Sequence, residues 1–173
     1  DRIQQFINAT VNRNHPENSL ITAVADMRLR LKKQPKTATK KSKWQLRQIA
    51  GGLTDLDLLI QAWRLQHGAL FSGSGQSAAV ILQTLHAHQA INDVHFAQLM
   101  SASKCLNKIQ HSLRLTLGPA PPNTDVLPPG LLGFMLNIMN ITQEAQFQNH
   151  FELSLTTIIE SIETFMSQEQ KSL

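Results

Sequence analysis

The chain has 173 residues, enough for one domain with a substantial core and too few for two well-developed ones. Seven phenylalanines, two tryptophans and no tyrosine, beside abundant Leu, Ile, Ala and Gln, suit helix packing better than a sheet, so the expected class is all-α, a bundle of six to seven helices. The formal charge of +4 is local: residues 28 to 47 carry nine of the sixteen basic residues and no acid, which argues against a domain-wide nucleic-acid surface, and the single cysteine excludes an internal disulfide and any multi-thiolate metal site.

The chain opens at Asp1 directly in a helical pattern, with Ile3, Phe6, Ile7 and Val11 on one side to about Asn12, as a piece of a larger protein would. A fragment is expected. Neither a basic n-region nor an apolar h-region is present, and no apolar run reaches the roughly 20 residues of a membrane span, so a cytoplasmic protein without membrane contact is expected. After the break at Asn14, His15 and Pro16, Asn18 or Ser19 caps a second helix to about Lys33, in which Leu20, Val24, Met27 and Leu31 repeat at helical spacing. Residues 34 to 43, QPKTATKKSK, have no apolar anchor and read as a mobile surface loop.

The next stretch, from Trp44 to Gly68, organises the rest. Two adjacent glycines, Gly51 and Gly52, permit backbone angles that cost other residues energy, and Thr54 and Asp57 follow in the spacing of a capping box, so a helix is expected from Thr54. Leu53, Leu56, Ile60 and Trp63 follow one face, and Leu58, Leu59, Ala62 and Leu65 cover much of the remainder. Only Asp57, Gln61 and Arg64 leave a narrow polar stripe. Asp55 and Asp57 in its first turn either cap the helix and complement its dipole or line a cleft.

FSGSGQS then forms a flexible connection, and Gly73-Ser74-Gly75 lacks the lysine and spacing of a phosphate-binding loop. Ser77 caps a helix to about Ala90, and Asn92 or Asp93 caps a long one from about Val94 to Leu115, with Phe96, Leu99, Met100, Ser103, Leu106 and Ile109 at core spacing. Cys105, inside it, reads as a small buried apolar residue. His86, His88, His95 and His111 lack the i, i+4 pair of a helical zinc motif and any completing acid or thiol, and read as solvated or packing histidines. The proline-rich Gly118 to Gly130 is an extended connection, Leu131 to about Met139 a short apolar helix with Pro129 in its first turn, and Thr142 caps a last helix that bends or restarts near His150.

WQLRQIAGGLTDLDL, Trp44 to Leu58, resembles a motif at the start of the helical domain of bacterial glutamine synthetase adenylyltransferases, written W-D-L-K-x-x-x-G-G-L-x-D-I-E-F. Asp26-Met27-Arg28-Leu29-Arg30 and INDVHFAQLMSASKCLNKIQHSLRL are similar to flanking segments of that family, so that nearly the whole chain is covered. Gln45, Arg47, Asp57 and Leu58 stand where the family has Asp, Lys, Glu and Phe. The resemblance implies a parent enzyme that transfers AMP from ATP to a tyrosine of glutamine synthetase under control of the PII signalling protein. ATP and Mg²⁺ would belong to a preceding nucleotidyltransferase domain. The fragment itself would hold no catalytic residue, metal or cofactor, and would support the cleft and the protein substrate through Arg47, Gly51, Gly52, Asp55 and Asp57, with the glycine turn admitting close approach of the neighbouring domain. The alternatives are a helical protein-interaction module docking through its basic loop and the helical domain of the related PII uridylyltransferase. Nucleic-acid binding is disfavoured by the confined basic segment and the few aromatic residues.

Overall fold

Residues 17–33, 42–71, 76–118 and 124–167 are described by the computed structural model, with Arg2, Gln5 and Ala9 as isolated helical positions. Among them are α1 (Glu17–Lys33), α2 (Leu53–Gln66), a 3-10 turn (Gly68–Leu70), α3 (Ala78–Ala87), α4 (Asp93–Leu117), α5 (Pro129–Met139) and α6 (Glu144–Ser167). The architecture is an all-α bundle, as the composition predicts. No helix among the described residues is long and apolar enough to cross a membrane.

Local chemistry sets most helix ends. The Ser77 hydroxyl accepts from the Val80 N–H (3.4 Å) and the Asn92 side-chain Oδ1 from the His95 N–H (2.8 Å), each satisfying a backbone donor at a helix start. Pro129 occupies the first turn of α5, where no N–H is needed. Asn140 ends that helix in the left-handed region (φ 56), which lets the Ile141 N–H reach back to the Leu136 carbonyl at 2.9 Å. The last helix starts at Glu144, two residues beyond Thr142, and runs unbroken past His150 to Ser167, because Phe147, Phe151, Ile158, Ile162 and Phe165 keep one buried stripe in register. The expected bend is absent.

The core is built round α2, which packs against α1, α3, α4 and α6. Leu59, Leu56 and Ile60 meet Ile81, Leu82 and Leu85 of α3, Leu99, Leu106 and Ile109 of α4, and Phe147, Ile158 and Ile162 of α6 in one continuous cluster. α4 and α6 form the broadest pairing, and α5 lies on α4. Three residues depart from the expected patterning. Met27 is 45 % exposed, and Ile21 joins Leu20 and Val24 on the inner side of α1. Arg64, expected on the polar stripe of α2, is 8 % exposed, because α2 is enclosed on four sides and only Asp57 and Gln61 remain on the open one. Apart from Arg2, Gln5 and Ala9, the expected first helix lies outside the described residues, as do residues 34–41 of the lysine loop. Ser42 and Lys43, at the end of that loop, are packed: Ser42 is 2 % exposed and its hydroxyl donates to the Thr124 carbonyl at 2.8 Å.

Where α2, α4 and α6 meet, His95 sets its ring edge-on to Trp63, centroids 5.5 Å apart, and its Nε2 lies 2.7 Å from the Ser161 hydroxyl. That hydroxyl donates to the Thr157 carbonyl, so His95 Nε2–H is the donor to Ser161. Burial pushes the His95 imidazolium pKa down. A lowered histidine contributes stability that is full above its unfolded value, about 6.5, and is lost as pH falls below it. The melting temperature is therefore expected to drop between pH 7.5 and 5.5, and to drop less in His95→Gln, whose amide can still donate to Ser161. An equal pH slope in both proteins would remove His95 from this role.

Candidate functional site

The segment that leads into α2 is a chain of tight turns. Gln48 N–H donates to the Gln45 carbonyl (2.7 Å), Gly52 N–H to Ile49 (3.1 Å) and Leu53 N–H back to Leu46 (2.8 Å), which folds residues 45 to 53 into a knot with Leu46 1 % exposed at its centre. Trp44 fixes this knot to the bundle. Its ring is 2 % exposed and stacks on Phe151 and Phe147 of α6, at 5.5 and 6.3 Å between centroids, while its Nε1–H donates to the Asp125 carbonyl at 2.8 Å. The Lys43 N–H donates to the Asp125 carboxylate (2.7 Å), and the Lys43 ammonium lies 4.8 Å from the centroid of the Trp44 ring.

Both glycines are required by close approaches inside this chain. Gly51 has φ +70, and a Cβ there would lie 2.2 Å from the Leu155 carbonyl oxygen of α6; a Cβ on Gly52 would lie 2.0 Å from the Leu46 carbonyl oxygen. Within this chain, the backbones that the turn admits are α6 and its own preceding turn. The helix also begins differently. Its N-cap is Gly52 and it starts at Leu53, while the Thr54 hydroxyl donates to the Arg47 carbonyl at 2.7 Å, so the Thr54–Asp57 capping box does not form.

Asp55 is the acid that reaches back. One of its oxygens accepts the Gly51 N–H at 2.9 Å, and both accept from Arg28 of α1, Nε to Oδ1 and Nη2 to Oδ2, each at 3.1 Å. The side chains are 11 % (Arg28) and 12 % (Asp55) exposed, so this forked pair is largely withdrawn from water. It joins α1, the glycine turn and the first turn of α2. Sequence reasoning missed Arg28, although a signal existed: Arg28 lies four residues beyond Val24, on the side of α1 that is buried, and an arginine there needs a counter-charge.

Asp57 and Arg47 stand on the outside. Their charged groups are 3.7 Å apart, and the side chains are 55 % and 57 % exposed. Burial pushes the Asp57 carboxyl pKa up, with Arg47 pulling it the other way. The five residues expected at a cleft thus fall into two sets: Gly51, Gly52 and Asp55 lie beneath the turn, and Arg47 and Asp57 above it.

This donor set does not fit a magnesium nucleotide. Asp55 spends its oxygens on Arg28 and Gly51, and Asp57, two residues on, projects elsewhere from the helix. Among the described residues no three of His, Cys, Asp and Glu come together. His86 lies 2.7 Å from Asp93 and stacks on Phe96, apart from the Trp63–His95 contact. Cys105 is buried between α4 and α6, and burial pushes its thiol pKa up, away from nucleophilic use.

Residues 22–168 match the family model described as GlnD PII-uridylyltransferase, a span that runs from α1 through α6 and includes the whole knot between them. Neither the curated proteins nor the solved structures offer a match. The family match supports a helical domain of the related nucleotidyltransferases and does not single out glutamine synthetase adenylyltransferase. By residues 22–168, the chain belongs to the PII-uridylyltransferase family.

Proposed function

We propose that the chain is a non-catalytic helical domain of a cytoplasmic, nitrogen-regulatory nucleotidyltransferase, and that it stands beside the catalytic domain to position a protein substrate. The observation that carries this reading is the construction under the Arg47–Asp57 pair: a buried forked ion pair, two sterically required glycines and a stacked tryptophan all fix one short surface segment. Rigid support beneath an exposed charged pair is what positioning of a macromolecular substrate needs, because misplacement by an ångström costs rate. ATP or UTP and Mg²⁺ would be held by the other domain.

The motif WQLRQIAGGLTDLDL favours AMP transfer to glutamine synthetase. The family description favours a second reading, UMP transfer to PII. Full-length protein incubated with labelled ATP or UTP and either acceptor separates them, and the isolated chain is expected to label neither. In the full-length protein, Arg47→Ala and Asp57→Asn are expected to slow transfer to the protein acceptor about tenfold, equivalent to about 1.4 kcal/mol of transition-state stabilisation. Stability should change by no more than about 0.5 kcal/mol, since exposed ion pairs contribute little. Unchanged transfer in both variants would show that this face contacts nothing in the reaction.

A further inference from the structure

α4 and α6 lie side by side and antiparallel: His95 meets Ser161, and Ser101 lies 3.3 Å from His150. Their outer faces carry opposite charge. α4 holds Lys104, Lys108 and Arg114 against one acid, Asp93 at its first position, whereas α6 holds Glu144, Glu152, Glu160 and Glu163 and neither Lys nor Arg. Lys104 and the four glutamates are exposed, and none of them is in an ion pair among the described residues.

Between the two helices runs an open groove of about 280 Å³, lined by Ala97, Gln98, Ser101, His150, Leu153 and Thr157 among others. Leu153, on its rim, is 63 % exposed. Positions 97, 101, 104 and 108 share one side of α4, and 153, 157, 160 and 164 one side of α6. The groove is therefore extended by Lys104 at one end and, because the helices are antiparallel, by Glu160 at the other, while the Lys108 ammonium donates to the Ile138 carbonyl of α5 at 3.1 Å.

We infer that this α4–α6 face is a self-complementary docking surface for a second copy of the chain. A two-fold axis through the middle of the groove exchanges its ends, which sets Lys104 of each copy against Glu160 of the other and brings each Leu153 to the opposite groove. Such an arrangement closes as a dimer with the same patch used twice. Charge chooses the occupant: an acidic partner complements α4 alone and a basic one α6 alone, while a second copy complements both. From residue 94 to 108 the face is about 21 Å long at about 1.5 Å per residue, and it is two helices wide. That places it at the small end of specific interfaces, so the dimer is weak and its affinity falls as salt is added.

Sedimentation equilibrium of the 173-residue chain from about 5 to about 200 µM, at low and high salt, tests this. A dimer is expected whose dissociation constant rises at least about tenfold in Leu153→Asp and in Lys104→Glu, and recovers when Lys104→Glu is combined with Glu160→Lys. All these positions are exposed, so helical content and melting temperature serve to show that each variant is folded. A chain that stays monomeric throughout, leaving the face to another protein, overturns the proposal. So does a dimer indifferent to both single substitutions, or one that the paired charge reversal fails to restore.

Discussion

Gly51→Ala is expected to destabilise the chain by about 3 kcal/mol, enough to leave a marginal domain partly unfolded at about 37 °C. Two independent costs combine. At φ +70 a Cβ crowds its own backbone, a penalty of about 1 to 2 kcal/mol for a residue other than glycine. The same Cβ would lie 2.2 Å from the Leu155 carbonyl oxygen and 2.9 Å from Ile159 Cγ1, and the first of these is backbone of a helix that cannot yield locally. Relieving such a clash by displacing α6 typically costs about 1 to 3 kcal/mol more. Gly133 supplies the contrast. It lies inside α5, and a Cβ added there would meet nothing within 4 Å, so Gly133→Ala should be neutral or stabilising by up to about 1 kcal/mol. Urea unfolding of the two variants checks both signs. Equal stability of Gly51→Ala and the parent chain would mean that α6 does not crowd the glycine turn.

How far the sequence discloses this arrangement depends on whether the responsible interaction is local. Ser77 and Asn92 cap helices through a hydrogen bond three residues away, and both were legible as caps. The glycine pair was legible as a site of unusual backbone, because the residue type itself reports the need. What the glycines accommodate was not, since Leu155 lies more than a hundred residues further along the chain. The same holds for Trp44, whose indole N–H is satisfied 81 residues away at Asp125. Where two local explanations competed, the simpler one concealed the structure: a first-turn acid is adequately explained as a cap, and that explanation gave no cause to seek a partner for Asp55 on α1. Arg64 shows the opposite error. Its charge suggested the open side of α2, but long arginine stems pack against apolar surfaces, and with four neighbouring helices α2 has little open side left.

Asp55→Asn is expected to cost about 3 kcal/mol, far more than Asp57→Asn, although the two residues are neighbours in the same helical turn and undergo the same chemical change. Asparagine keeps one carbonyl oxygen, which at the Oδ2 position can still accept the Gly51 N–H and the Arg28 Nη2–H, but its amide nitrogen then faces the Arg28 Nε–H and that bond is lost. The larger loss is electrostatic. Arg28, 11 % exposed and unable to shed its proton, would be left beside a neutral amide, and removing one member of a buried pair typically costs about 3 to 5 kcal/mol. Asp57 faces water opposite an equally exposed Arg47, and removal of its charge should change stability by no more than about 0.5 kcal/mol. The cost at Asp55 belongs to the stranded charge rather than to the worth of the pair, which makes a second outcome specific. Arg28→Met combined with Asp55→Asn should recover much of the loss, because no buried charge then lacks a partner, although the Gly51 turn keeps only one acceptor. Chemical unfolding of the two single variants and the double variant closes this cycle. If Asp55→Asn behaves like Asp57→Asn, or if the double variant is the sum of the singles, Arg28 and Asp55 do not form the buried lock that holds the turn beneath Arg47 and Asp57.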